Sequence, residues 1–320
     1  MALPNDRAPL SGALWALFAT VGFTAVDVIV KFLSSGYPHY QLTFLRTLVA
    51  MIVLLLIIVP VSRARIQFRT TRLRQHLLRG LCVVFANLCF FLALAAMPLA
   101  EAVAVFFVSP FLIAIFSIVF LGETVGPRRW SAIAVGLLGV LIVLRPGTKA
   151  FQFAALLPIC AAAGYGMLHI YTRRMGDTEN AVTLTFFTQA VMMAVAAMAG
   201  LALGFGQFDV FDHPSLAFLF RAWVWPTPFD AALIGALGLS IAVSGFAISE
   251  AYSRSEPAFI APFEYIALPL SVLWGILVFD EWPDGWALVG IVLILVSGMV
   301  LIWREAVGRR SGEVDRAERV

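Results

Sequence analysis

FLALAAMPLAEAVAVFFVSPFLIAIFSIVFLGE, from Phe91 to Glu123, and FAISEAYSRSEPAFIAPFEYIALPLSVLWGILVFDE, from Phe246 to Glu281, carry one pattern twice. Each holds a short polar break, a long apolar run and a closing acid, followed by a second apolar run with glycine and tryptophan. Glu123 and Glu281 stand 158 residues apart, about half of the 320-residue chain. Repetition at that spacing in apolar sequence points to two related halves embedded in a membrane.

The rest of the chain agrees with that reading. Hydrophobic residues make up 61%, with 27 Phe, a mean hydropathy of +0.94 and only 13% charged residues. That is too little polar surface for a soluble domain of this length. Crossing roughly 30 Å of hydrocarbon takes about 20 helical residues. Ten segments qualify: 11–33, 40–62, 77–96, 100–121, 129–145, 151–171, 180–204, 230–250, 258–279 and 285–303. Helices satisfy their own backbone in lipid, and the short alternating strands of a barrel are missing. The expected fold is an all-α integral membrane protein. Cys82, Cys89 and Cys160 lie in apolar runs without metal-ligand spacing and read as packing residues. The opening MALPNDRAPLSG lacks the features of a signal peptide, so the first helix is expected to be retained.

Arginine placement sets the expected topology. With the N-terminus in the cytoplasm, that side collects Arg7, the run Arg63 to Arg79, Arg128, Arg129, Arg173, Arg174, Arg254 and the C-terminal arginines. The other side keeps Arg145, Lys149 and Arg221. Both termini then face the cytoplasm of a bacterial-type inner membrane. Residues 11–146 form one five-helix half and 151–304 the other, with cytoplasmic tails at 1–10 and 305–320. Because five is odd, the second half crosses in the opposite sense. Inverted repeats of this kind suit alternating access, with a substrate site between the halves near mid-membrane. The loop from Phe205 to Phe229, with Trp223 and Trp225, reads as an interfacial segment, or alternatively as a lid.

Ten spans in two such halves, with SPFLIAIFSIVFLGE and its partner LSVLWGILVFDEW, resemble the EamA-type permeases of the drug/metabolite transporter superfamily. The resemblance covers about residues 10–304. It implies an inner-membrane secondary transporter for a small metabolite, with a central cavity lined by spans 1, 3, 4, 6, 8 and 9. The family's fourth-span proline is matched by Pro110. In the ninth span Leu268 holds that position and Pro269 follows one residue late, which leaves the local bend open. FLRTLVA at 44–50 and APFEY at 261–265 are similar to S-adenosylmethionine and riboflavin permeases.

Ionisable residues inside spans are costly and mark candidate sites. Asp27 and Lys31, at i and i+4 on span 1, are expected to pair, or else Asp27 faces substrate. Arg46 in span 2 needs a carboxylate, carbonyls or water, and a structural ion pair is expected for it, with substrate contact as the alternative. Glu264 in span 9 is the leading candidate: it either binds substrate or protons, or pairs with Arg46. Glu250, Arg254 and Glu256 surround a break that could act as a gate. Glu101 fits a helix N-terminus, while Glu123 and Glu281 read as structural acceptors of loop amides. Tyr165 and His169 share a face of span 6 and are either interior packing or substrate contacts. Asn87 and Ser109 offer neutral hydrogen bonds, and Phe107 and Tyr265 offer aromatic surface.

Other function classes lack support. Only four histidines occur, His39, His76, His169 and His213, and three of them sit at loops or membrane edges, so no nucleophile–base or metal cluster is legible. GLLG at 136–139 and AAAGYG at 161–166 suit close helix packing and lack a phosphate loop's ending. No cofactor and no nucleic-acid partner is expected. The expected partners are a small metabolite, the lipid bilayer and protons as coupling ion. A single copy suffices for transport, with a homodimer as the alternative. The leading substrate is S-adenosylmethionine or a similar zwitterion; the alternatives are riboflavin, another aromatic heterocycle, or export of an amino acid or drug.

Overall fold

A computed structural model describes residues 7–62, 66, 70–122, 127–146, 153–175, 180–254 and 257–300. Helices α1 (Arg7–Leu33), α2 (His39–Val53) and α3 (Val59–Ser62) open the chain, with a π-turn at Leu54–Ile58 joining the last two. Pro60 cannot donate to the preceding turn, and a π-turn next to it is one way to absorb that lost bond. Then come α4 (Leu73–Leu94), α5 (Leu99–Phe106), α6 (Ser109–Leu121), α7 (Pro127–Leu144), α8 (Leu157–Met175) and α9 (Ala181–Leu203). The short α10 (Pro214–Phe220) precedes α11 (Pro228–Arg254), α12 (Pro257–Glu264), α13 (Ala267–Phe279) and α14 (Gly285–Val300).

Eight helices among the described residues are long and apolar enough to cross a membrane. They include Leu99–Leu121, which spans α5 and α6, and Pro262–Phe279. Trp130–Leu144 and Gly285–Val300 are apolar but shorter. By length and composition, then, eight segments qualify rather than the ten expected. Large apolar side chains such as Leu56, Leu201, Val119 and Leu277 stand exposed around the bundle, as a lipid-facing surface requires.

The fourth and ninth expected spans are both broken. Turns at Phe107–Val108 and at Tyr265–Ile266 interrupt them. Pro110 sits in the first turn of α6 and Pro269 in the first turn of α13, where a missing amide is tolerated. The late proline therefore does not remove the break. Both helices end on a left-handed residue, Gly122 at φ 69° and Asp280 at φ 55°.

Packing is organised by cross-pairs. α1 lies along α11 and α4 along α8; α2 packs on both α9 and α11, and α4 also packs on α9. α6 meets α8, α1 meets α12 and α13, and α5 meets α13. α7 and α14 approach where Gly139 faces Gly290, and a methyl on either would strike the other's carbonyl oxygen. The largest core cluster includes the fully buried Phe111, Phe218 and Leu268, and smaller clusters lie where α1 meets α11 and α12 and where α2 meets α11.

Residues 205–229 fold onto one end of the bundle. Phe218 is buried and Ser215 Oγ donates to the Leu92 carbonyl at 2.7 Å. Arg221 donates to the Ser34 carbonyl at 2.8 Å, while Tyr40 donates to the Arg221 carbonyl at 2.8 Å. Trp225 stays exposed.

Candidate functional site

Two cavities meet at Asp27, in the C-terminal half of α1. The first, about 340 Å³, is lined by Asp27, Arg46, Arg79, Asn87, Thr188 and Gln189 among others. The second, about 320 Å³, is lined by Asp27, Glu264, Tyr165, Phe106, Phe107 and Thr24 among others. Phe23, Asp27 and Phe90 belong to both walls and form the partition. The first chamber is basic and rich in hydroxyl and amide groups; the second is acidic and aromatic.

Arg46 is buried, donates a hydrogen bond to Asn87 Oδ1 and stacks its guanidinium 4.8 Å from the Phe91 ring centre. The family resemblance leaves span 2 out of the cavity wall and favours a structural ion pair for Arg46 over substrate contact. Instead α2 supplies Arg46 and Thr47 to the cavity wall, and α9 supplies Thr185, Thr188, Gln189 and Met192. Arg79, expected at the membrane edge, is held over the same chamber by hydrogen bonds to Thr172 Oγ1 at 2.8 Å, the Leu184 carbonyl at 3.0 Å and Thr188 Oγ1 at 2.5 Å. The missed residues had a legible signal: Thr185, Thr188, Gln189 and Met192 recur at helical spacing on one face of an otherwise apolar span.

Ring contacts build the second chamber. Phe90 packs on Phe106 at 5.0 Å, Phe106 on Tyr165 at 5.5 Å, and Tyr165 edge-on to His169 at 4.6 Å. Phe107 crosses to Tyr265 at 4.8 Å. His169 lies a turn beyond Tyr165, while Ser109 and Tyr265 are buried in packing rather than in the wall of either chamber. Pro110 stands at the break beside them.

Lys31 does not pair with Asp27 along its own helix. Its Nζ meets Glu281 Oε1 at 2.9 Å, donates to the carbonyls of Met97 at 2.6 Å and Leu94 at 3.2 Å, and sits over the Phe279 ring. The tertiary fold brings a full carboxylate and two helix-end carbonyls within its reach, a richer set than one neighbour on the same helix. Glu281 Oε2 accepts from the Leu99 amide at 2.9 Å, at the start of α5. One charged knot thus ties the ends of α1, α4, α5 and α13. Beside it Arg145 pairs with Asp284. That bond, followed by the Ala287 amide, holds the Asp284 carboxyl below its ordinary value. Tyr37 donates to Asp230 at 2.6 Å at the same end.

At the other end the first chamber continues past Thr185, Gln189 and Ile241 into a further cavity of about 300 Å³ between α2, α9 and α11. Glu250 lines its mouth. Glu123 and Glu256, and the side chain of Arg254, lie outside the described residues. Among the described residues no cluster of His, Cys, Asp and Glu could hold a metal ion.

Residues 10–145 match the EamA-like transporter family. The first half of the chain is thus similar to an EamA-type transporter domain. Curated relatives extend the similarity across the second half. A riboflavin transporter of Rhizobium johnstonii is 29% identical over 95% of both chains. An S-adenosylmethionine uptake transporter of Rickettsia conorii is 28% identical over 92% of this chain and 94% of its own. A pseudopaline exporter of Pseudomonas aeruginosa is 25% identical over 91% of this chain and 95% of its own. A solved crystal structure shares the fold, with a TM-score of 0.60 at 21% identity over 93% of this chain and 99% of that one. These likenesses and the apolar helices support a multi-pass membrane protein similar to transporters of the drug/metabolite kind. In a membrane protein of this kind a cavity of mixed charge, enclosed by lipid-facing helices, is a place where a polar solute can be held.

Proposed function

We propose that this chain is a secondary transporter that moves a small zwitterion, S-adenosylmethionine or a molecule like it, across the cytoplasmic membrane by alternating access. The observation that carries this reading is the pair of chambers of opposite sign joined at Asp27. A zwitterion with an aromatic part finds a partner there for each of its charges and rings for its planar face.

The working unit is ten crossings in two inverted halves, 11–146 and 151–304, with both termini cytoplasmic. The cross-pairs support it. Numbering the spans from one to ten, contact between spans 1 and 8 is mirrored by contact between 6 and 3, and 2 with 8 by 7 with 3. Exchanging the halves leaves the pattern unchanged. The arginine bias supports the orientation. It puts the Lys31–Glu281 knot outside and the Glu250 mouth inside, so the cavity opens toward the cytoplasm in this conformation. Glu264 binds the substrate cation or exchanges protons during the cycle, and Asp27, Asn87, Phe107 and Tyr165 complete the site. Tyr265, Ser109 and Pro110 shape the breaks, His169 backs the aromatic wall, and Glu250 with Arg254 and Glu256 guards the inner mouth.

Riboflavin is the second reading. It is favoured by the rings of the second chamber and by the Rhizobium relative.

Uptake of a labelled metabolite panel by proteoliposomes, with and without a pH gradient, tests the proposal. Saturable uptake of S-adenosylmethionine, accelerated by the gradient and lost in Glu264→Gln, is the expected result. Uptake of riboflavin alone selects the second reading, and movement of no solute by normally folded protein contradicts both.

A further inference from the structure

The polarity of the two chambers specifies which way round a substrate sits. Arg46 is 2% exposed and inside the bundle. A guanidinium carries five N–H donors. Among the described residues Arg46 makes one hydrogen bond, to Asn87, and its Nε is buried with no partner. Phe91 covers one face of the fork. A permanent charge held in the interior with most of its donors idle is costly unless something else occupies them.

Asp27 lines the same chamber. No ion pair closes between them among the described residues, and both line one cavity. A planar fork and a carboxylate facing one void complement a carboxylate and an ammonium borne on a single carbon. Arg takes a carboxylate through two parallel bonds, and Asp takes the ammonium. Past Asp27, the second chamber offers Glu264 with Phe90, Phe106 and Tyr165, a setting for a cationic or planar tail.

We propose that this site takes an α-amino-acid-headed molecule in one orientation: carboxylate on Arg46, ammonium on Asp27, and a planar or cationic tail in the Glu264 chamber. The proposal rests on the transporter reading above and makes Arg46 a specificity residue rather than a structural one. A heterocycle without the amino-acid head would use the second chamber alone and ignore Arg46.

Competition against labelled S-adenosylmethionine in proteoliposomes tests this, using unlabelled S-adenosylmethionine, its decarboxylated analogue and riboflavin as competitors. Wild-type protein is expected to hold the intact molecule about 10- to 100-fold tighter than the decarboxylated one, the size of a lost charge-assisted contact. Arg46→Gln should weaken the intact molecule by a similar factor, leave the decarboxylated analogue unchanged and so erase the preference. Asp27→Asn should weaken both. Should Arg46→Gln fail to fold, the wild-type preference and Arg46→Lys, which keeps the charge but loses the fork, carry the test. Equal binding of the two analogues by wild type, or an equal loss for both in Arg46→Gln, overturns the proposal. Transport of riboflavin without S-adenosylmethionine overturns it while leaving the transporter reading intact; transport of nothing overturns both.

Discussion

Leu99–Leu121 and Pro257–Phe279 are the same shape made from different side chains. Each begins with a helix of 8 residues, breaks for two residues and resumes for 13 residues. Each ends on a left-handed residue, and every boundary in one lies 158 positions from its counterpart. Phe107 and Tyr265, equivalent in that register, touch each other. The chemistry differs where the shape does not. Phe106 of the first break is replaced by Glu264 in the second, Gly122 by Asp280, and only α12 has an internal proline, Pro262. Backbone geometry is kept in both halves while the charges fall at different places, Glu101 at the start of α5 and Glu264 at the end of α12, and Glu264 joins Asp27 in the cavity's acidic wall.

The largest expected effect comes from erasing that asymmetry. Glu264→Phe makes the second break like the first. It should fold and insert normally yet lower transport at least about tenfold, the scale of a lost charged contact. Proteoliposome uptake beside a thermal melt checks this; uptake within twofold of wild type would mean the asymmetry carries no function. Next is the knot that holds α13 against the start of α5. Lys31→Met leaves Glu281 partly buried with the Leu99 amide as its remaining hydrogen bond, and should cost about 1–3 kcal/mol in a thermal or denaturant melt. Adding Glu281→Gln should recover part of that loss.

Smaller effects sharpen the caps. Gly122→Ala forces a Cβ into a left-handed turn and should cost about 1 kcal/mol, while Asp280→Gly should gain about 0.5–1 kcal/mol. Equal and opposite shifts in melting would show the two turns to be interchangeable. The smallest concerns the junction after α13. Asp284 is held below its ordinary value of 3.8 by Arg145. Its contribution is therefore present above that pH and fades as pH falls through the lowered value. Asp284→Asn should cost no more than about 1 kcal/mol at neutral pH, because Asp284 is exposed to solvent. That difference should shrink in acid, as melts at pH 7 and pH 3 would reveal.

Much of the shape was legible in the residues. Apolar runs mark helices because lipid forbids unpaired backbone, and the glutamate spacing gave the register of the breaks. Several partners were not legible. Lys31 sits four residues from Asp27, but its ion-pair partner Glu281 is 250 positions away, and only helix packing brings them together. Arg46 and Arg79 read as peripheral because sequence locates a residue along a span but not around the bundle. The polar face of α9 was present at helical spacing, yet neutral residues do not declare themselves as sharply as charges do.

Single cysteines in a background lacking Cys82, Cys89 and Cys160, labelled by a membrane-impermeant thiol reagent from each side, test the central claim most directly. Gly122→Cys and Asp280→Cys occupy the same turn of the two broken helices. Labelling of the first from the cytoplasmic side and of the second from the outside is the result expected of inverted halves enclosing one two-signed cavity. Labelling of both from the same side would contradict it.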